Sequence, residues 1–254
     1  MATQPKKAEA KAGRSAPART GAGGATGATL WLWEWTKSLG GAFLLFLVIK
    51  TFLIQTFVIT SGSMEDTLLV GDFLVLNKAV YGAEVPLTEA SLPGWDDPDR
   101  GDVIVFRAAH APELDLVKRL IGLPGDTLAM RDGVLILNGE PQAEPFVHHT
   151  APDMGGGYHP WMAWQTEHLA PGVNAETYRP TLDTWGPIVV PPGRFFAMGD
   201  NRDLSLDSRY WGFVDANEVK GRVLGIYFSF DPDSGVALPW LQNIRWDRMF
   251  SGVD

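Results

Sequence analysis

Ile59-Thr60-Ser61-Gly62-Ser63-Met64 separates two unlike parts of the chain. Upstream of it, Ser38 to Thr60 carries one charge, Lys50, and is the only apolar run of membrane length. Twenty-three residues of helix reach roughly 35 Å, enough to cross a hydrocarbon core of about 30 Å. Downstream, short apolar stretches alternate with turn signals. The boundary therefore implies one N-terminal transmembrane helix followed by a mostly β domain built of antiparallel strands. The boundary loop is small, flexible and rich in hydroxyls, which suits a nucleophile better than a structural element.

Lys50 complicates the span. Its ammonium can snorkel to the far interface at a cost of roughly 2–3 kcal/mol or less. Alternatively the span ends near Lys50, and Phe52 to Ile59 already lie beyond it. A buried core helix competes with both. So does a cleavable signal peptide cut at Ser61-Gly62-Ser63, although the run is long for one and holds a lysine. Trp31, Trp33 and Trp35 precede the run as amphipathic rings do at a membrane interface.

Charge is distributed unevenly over the 254 residues. Residues 1–37 hold six Lys/Arg against Glu9 and Glu34, or +4, so the net charge of -9 leaves -13 on the remainder. An acidic folded part argues against nucleic acid as a partner. The basic tail implies that the N-terminus stays in the cytoplasm while the large domain lies outside. Residues 1–29 read as disordered tail, since they offer almost nothing to bury. The chain has no cysteine, so neither disulfides nor a thiolate site is available.

The expected strands are Asp72 to Asn77, Asp102 to Phe106, Leu116 to Ile121, Val134 to Leu137, Phe195 to Met198 and Val223 to Phe230. Asn138-Gly139 between apolar residues and Glu140-Pro141 implies a hairpin. Residues 142–194 are rich in Pro, Gly, His and Trp and read as an inserted, loop-rich smaller region. Their His148, His149, His159 and His168 lack ligand-like spacing on a defined element, which favours surface histidines over a metal site. The organisation is then a tail at 1–29, an anchor at 30–60, a β domain from 61–141 and 195–254, and the insert at 142–194.

Two further stretches carry candidate chemistry. In Leu116-Val117-Lys118-Arg119-Leu120-Ile121, strand alternation puts Lys118 on one face and Arg119 on the other, each between aliphatic residues. One reading is a pair of snorkelling surface cations. The other is a buried lysine base. A solvated lysine is only about 0.04% neutral at pH 7, so a base needs its pKa depressed by about three units, which burial can supply. His110 offers a competing Ser/His reading. The polar run Gly199 to Gly212 reads as a solvated loop or as a cluster that orients a catalytic group. A calcium loop using Asp200, Asn201, Asp203 and Asp207 does not match helix-loop-helix spacing.

Four segments in this order resemble the bacterial type I signal peptidases: SGSMEDTLLVGD at 61–72, RGDVIVF at 100–106, LVKRLIGLPGD at 116–126 and GDNRDLSLDSRYWGFV at 199–214. The preceding membrane segment and the closing IRWDR at 244–248 are also similar. The resemblance implies a Ser/Lys endopeptidase, with Ser63 as nucleophile and Lys118 as general base. It further implies Ser61 as a side-chain oxyanion donor beside the Ser63 N–H, and Ser205 as the hydroxyl that holds the lysine. Asp207 and Arg209 match a supporting ion pair, and Ile59 and Val117 match positions that line the substrate pockets. Asp66 stands where the family usually has proline, and Leu204 where it often has asparagine. A carboxylate near Lys118 would oppose its role, so the Asp66 side chain is expected to point away, capping the following turn.

The implied protein is a single-pass enzyme of the bacterial inner membrane, catalytic on the outer side and without cofactor or metal. It would cut signal peptides from exported precursors after small residues. Its expected partners are those precursors and membrane lipid. The alternatives are a processing protease of narrow specificity with the same chemistry, and a catalytically silent tethered scaffold that binds exported chains.

Overall fold

The computed structural model describes residues 24–82, 93–109, 111–151 and 157–253. The chain divides into two compact units, Met1–Phe46 and Leu47–Asp254. In chain order the elements are α1 (Gly24–Phe52), β1 (Ile54–Val58), β2 (Asp72–Asn77), β3 (Val103–Ala108), β4 (Ala111–Gly122), β5 (Thr127–Arg131), β6 (Val134–Leu137) and β7 (Glu140–Pro141). They continue with β8 (Trp185–Val189), β9 (Arg194–Met198), α2 (Ser208–Trp211), β10 (Val214–Asp215), β11 (Val219–Ser229) and α3 (Pro239–Gln242).

Thr29–Phe52 of α1 is long and apolar enough to cross a membrane. Its large side chains, from Trp31 through Leu47, are exposed. Two expectations about this helix are corrected. It begins at Gly24, inside the stretch read as tail; residues 1–23 of that tail lie outside the described residues. It also stops at Phe52 instead of running to Thr60, close to the alternative end near Lys50, which lies in its last turn, where a cation suits the helix dipole. The next residues, Ile54-Gln55-Thr56-Phe57-Val58, alternate β-branched and other side chains and form β1, which half-buries Gln55 and Phe57. The membrane-length reading thus merged a helix with a strand, because periodicity alone does not separate two adjoining apolar elements.

Among the described residues, the strands make two antiparallel sheets. The larger has the order β1-β2-β11-β3-β4-β9-β10 and the smaller β7-β6-β5-β8. The long central strand β4 pairs with β3 in a register that sets Ile104 opposite Lys118 and Val103 opposite Arg119. Asn138 and Gly139 take positive φ values of 51° and 90° and close the β6–β7 hairpin, as the Asn-Gly pair implied. The smaller sheet draws β8 from the 142–194 stretch and β5 to β7 from before it. Residues 142–194 are therefore not a self-contained insert: Trp185 and Ile188 share one core with Leu128, Met130, Phe196 and Phe213.

A second core lies beneath the Ser63 turn. Ile59, Met64, Leu68, Leu74, Leu76, Val103, Val105, Val223 and Ile226 pack together, with Phe57 and Val117 against them. Met64 immediately follows Ser63 and is fully buried, so the loop that carries the serine is pinned by its own next residue.

Candidate active site

Lys118 and Arg119 are 3% and 2% exposed, which overturns the reading of both as surface cations. Each lies on its own face of β4, and each face is covered. Burial pushes the Lys118 ammonium down from its ordinary value to about 8. The carboxylates of Asp207 and Asp200 pull it back upward, and Arg209 lowers it further. Lys118 Nζ lies 2.6 Å from Ser63 Oγ and donates to the Val117 carbonyl at 3.1 Å.

Ser63 sits in a single 3₁₀ turn, Gly62–Met64. Ser61 Oγ lies 3.4 Å from Ser63 Oγ, so two hydroxyls and one amine converge on the same spot. The turn is held from the other side by the loop after β9. Asn201 N–H donates to the Ser63 carbonyl at 3.2 Å, and Asn201 Nδ2 donates to Gly62 O and Glu65 Oε2, each at 3.2 Å. Gly199 must lack a side chain, because a Cβ there would overlap the Ser63 carbonyl oxygen and the Ser205 hydroxyl.

Two buried ion pairs brace this loop. Arg119 grips Asp200 through Nε to Oδ1 at 3.0 Å and Nη2 to Oδ2 at 2.8 Å, while Nη1 donates to Gly101 O. Arg209 holds Asp207 through Nε to Oδ1 and Nη2 to Oδ2, both at 2.9 Å, and Asp207 also accepts from Gly199 N–H. Burial alone would raise the Asp207 carboxyl, but Arg209 more than offsets it and holds the group below its ordinary value. Asp200, Asp203 and Asp207, offered as calcium ligands, thus face Arg119, His149 and Arg209 instead. Among the described residues no group of three or more His, Asp or Glu is arranged to hold a metal ion.

The closing segment has a related task. Arg248 pairs with buried Asp72 at 2.6 Å and donates to Thr67 O, and Arg245 donates to Val70 O. Both secure the chain just beyond the Ser63 turn.

The structure brings Ser63, Lys118 and Ser61 together, with Asp207 and Arg209 as a pair behind them. Ile59 and Val117 meet in the apolar cluster beneath the turn, Ile59 deep in it and Val117 at its margin. Ser205 is buried, yet its hydroxyl makes no hydrogen bond of good geometry among the described residues, to Lys118 or otherwise. It does lie close enough to Asp207 to help lower that carboxyl. Asp66 points away from Lys118 as expected, but toward His148 Nδ1 at 2.8 Å and not into a cap of its own turn. Its φ of 74° is one proline cannot adopt. Leu204 is exposed, and His110 lies outside the described residues. Sequence reasoning gave no role to Arg119, nor to Glu144, which is bidentate to Arg202. A cation flanked by aliphatic residues on a strand was the available signal for Arg119.

A β-sheet domain in which a serine hydroxyl meets a buried amine has the parts of a serine endopeptidase. Comparison with known proteins narrows the class. The profile of the family described as "Signal peptidase, peptidase S26" matches residues 32–228. A signal peptidase I of Pseudomonas aeruginosa is 36% identical over 212 residues, covering 79% of this chain and 73% of that one. One from Bacillus licheniformis is 33% identical over 202 residues, covering 79% and 90%. A crystal structure of a signal peptidase I from Enterococcus faecalis V583 aligns at 33% identity over 50% of this chain and 97% of that chain, with a TM-score of 0.33. The sequence matches carry the assignment: the chain belongs to the signal peptidase family, peptidase S26, and is a serine endopeptidase of the bacterial type I group.

Proposed function

We propose that this enzyme is anchored in the bacterial inner membrane by α1 and cleaves signal peptides from exported precursors with a Ser63–Lys118 dyad. The observation that carries the reading is the 2.6 Å contact between Ser63 Oγ and a lysine amine that burial has pushed down to about 8. At that value about a tenth of the amine is neutral at pH 7, against about 0.04% for a solvated lysine.

The neutral amine accepts the Ser63 proton as Oγ bonds to the scissile carbonyl carbon. The carbonyl oxygen becomes an oxyanion, which the Ser61 hydroxyl and the Ser63 N–H stabilise. The C–N bond then breaks, and the Lys118 ammonium returns its proton to the leaving amine. Water repeats the cycle on the ester and frees Ser63.

The substrate is read as an added strand. β1 is an edge strand, and residues 111–118 of β4 pair only with β3 among the described residues. An extended signal peptide can use these free edges, and small residues before the cut suit the limited space beside Val117. Anchoring is supported by a helix whose apolar side chains are exposed all round and would be covered in a bilayer. The basic tail favours a cytoplasmic N-terminus. The test uses the full chain in detergent with a signal-peptide-bearing precursor: Ser63→Ala and Lys118→Ala should each abolish cleavage while leaving the fold intact. Robust cleavage by Lys118→Ala would rule the dyad out. Protease added to spheroplasts should digest residues 64–254 and spare the tail; the opposite pattern would reverse the orientation.

A further inference from the structure

We propose that Asp66 and His148 form a positioning pair that keeps the nucleophile turn in register, an inference that rests on Ser63 being the nucleophile. The contacts around the turn form a closed ring. Ser63 C=O accepts from Asn201 N–H at 3.2 Å. The neighbours of Asn201 are both bonded to the main chain of His148: Asp200 C=O accepts its N–H at 2.8 Å, and Arg202 N–H donates to its C=O at 3.0 Å. The His148 ring then reaches back, Nδ1 to Asp66 Oδ2 at 2.8 Å. Asp66 lies three residues beyond Ser63, which completes the ring.

The backbone at Asp66 makes the side-chain contact matter. With φ at 74° it occupies the left-handed region, where a non-glycine residue costs energy and persists only when its surroundings hold it. His148 is a suitable holder because its own main chain is fixed at both ends. The other charged groups around the pair are already engaged. Glu65 accepts from Asn201, Arg202 is bidentate to Glu144, His149 meets Asp203 at 2.8 Å, and Arg248 is tied to Asp72. None of them competes for His148 at hydrogen-bonding distance.

The pair is exposed, 64% for Asp66 and 39% for the imidazole, so its effect is modest. Thr67 Oγ1 to Asp200 at 2.6 Å also supports the turn. Loss of the pair should therefore loosen the serine without unfolding the protein. The contribution of an exposed polar pair of this kind corresponds to roughly a three- to fivefold change in rate.

The test is steady-state cleavage of a signal-peptide precursor by the full chain in detergent. His148→Leu and Asp66→Gly should each lower kcat by about three- to fivefold with KM nearly unchanged. The double variant should be no worse than either single one, because both remove the same contact. His148→Asn, whose amide nitrogen falls near the position of Nδ1, should restore most of the rate. Asp66→Gly separates positioning from backbone strain, since glycine takes a φ of 74° freely and should not lower the melting temperature. Wild-type kcat in Asp66→Gly, additive losses in the double variant, or His148→Asn as slow as His148→Leu would each overturn the proposal. Activity surviving in Ser63→Ala would instead remove the nucleophile assignment beneath it, a separate and recognisable failure.

Discussion

Replacing Lys118 by methionine should abolish cleavage and yet make the protein more stable at neutral pH. The reason is the same burial that activates the lysine. Its pKa falls from 10.5 to about 8 on folding. Below pH 8 the ammonium is present in both states but is disfavoured in the folded one, and the difference of two to three units corresponds to about 3 kcal/mol. Between about pH 8 and 10.5 the unfolded chain binds a proton that the folded chain does not, so stability rises with pH across that window. Above it the amine is neutral in both states and the penalty is gone. Methionine is unbranched, flexible and of similar length, and carries no such penalty. It leaves the Val117 carbonyl without its Nζ partner, which offsets about 1 kcal/mol. The net gain should be about 2 kcal/mol at pH 7 and should vanish, or turn into a small loss, by about pH 10.5. Urea unfolding of the full-length wild type and Lys118→Met in detergent, in steps from pH 6.5 to 10.5, reads the difference directly, because other titrating groups cancel. A destabilised Lys118→Met at pH 7, or a difference that does not change with pH, would refute the reasoning.

Further outcomes are expected. Cleavage by the wild type should climb with pH and level off above about 8, where Lys118 becomes neutral. Asp207→Asn should move that rise to lower pH, since it removes an attraction that holds the proton and leaves Arg209 uncompensated; an unmoved limb contradicts this. The same variant should lose about 3–5 kcal/mol of stability by breaking a buried pair, measurable by thermal unfolding. Gly199→Ala should cut kcat by at least about tenfold, because the new methyl displaces the Ser63 carbonyl or Ser205, and a near-normal rate in the cleavage assay would show that the loop has room. Val117→Ala should admit larger residues before the cut in a substrate panel analysed by mass spectrometry. Ile59→Ala should do the same but also lose about 2–5 kcal/mol as a core truncation; if neither relaxes the preference for small residues, they are not pocket walls.

Much of this was legible in the sequence wherever one residue type admitted one physical use. Asp72–Asn77 and Val134–Leu137 are strands with the expected bounds because alternation and turn residues agreed. The local pattern left Lys118 open between a surface cation and a buried base, and it was the resemblance of the segments around Ser63 and Lys118 to a known family that implied their roles. What escaped were features decided by partners distant in the chain. The end of α1 depends on β2 offering Ile54–Val58 an edge to pair with, which no local pattern records. Arg119 is buried against Asp200, 81 positions later, whose carboxylate neutralises it. The small sheet straddles position 142 because β5 pairs with β8, across some fifty residues without regular periodicity. Asp66 was seen as a departure, but its partner His148 lies in the stretch where the resemblance is weakest.

The early end of α1 has a consequence for reach. Phe52 is the last helical residue and Ser63 lies eleven positions on, with ten residues between them. Even fully drawn out they span no more than roughly 36–40 Å. Five of them are locked into β1 against β2 and give no slack. If α1 is the proposed anchor, Ser63 hangs on a short leash that cannot be paid out. A precursor would then be selected by altitude as well as by side chains. A scissile bond held too close to the lipid, or carried too far from it by a long polar segment after the hydrophobic run, would miss the serine however well its residues fit. Lengthening the leash by inserting a few glycines after Leu53 should shift which bond of a nested series is cut.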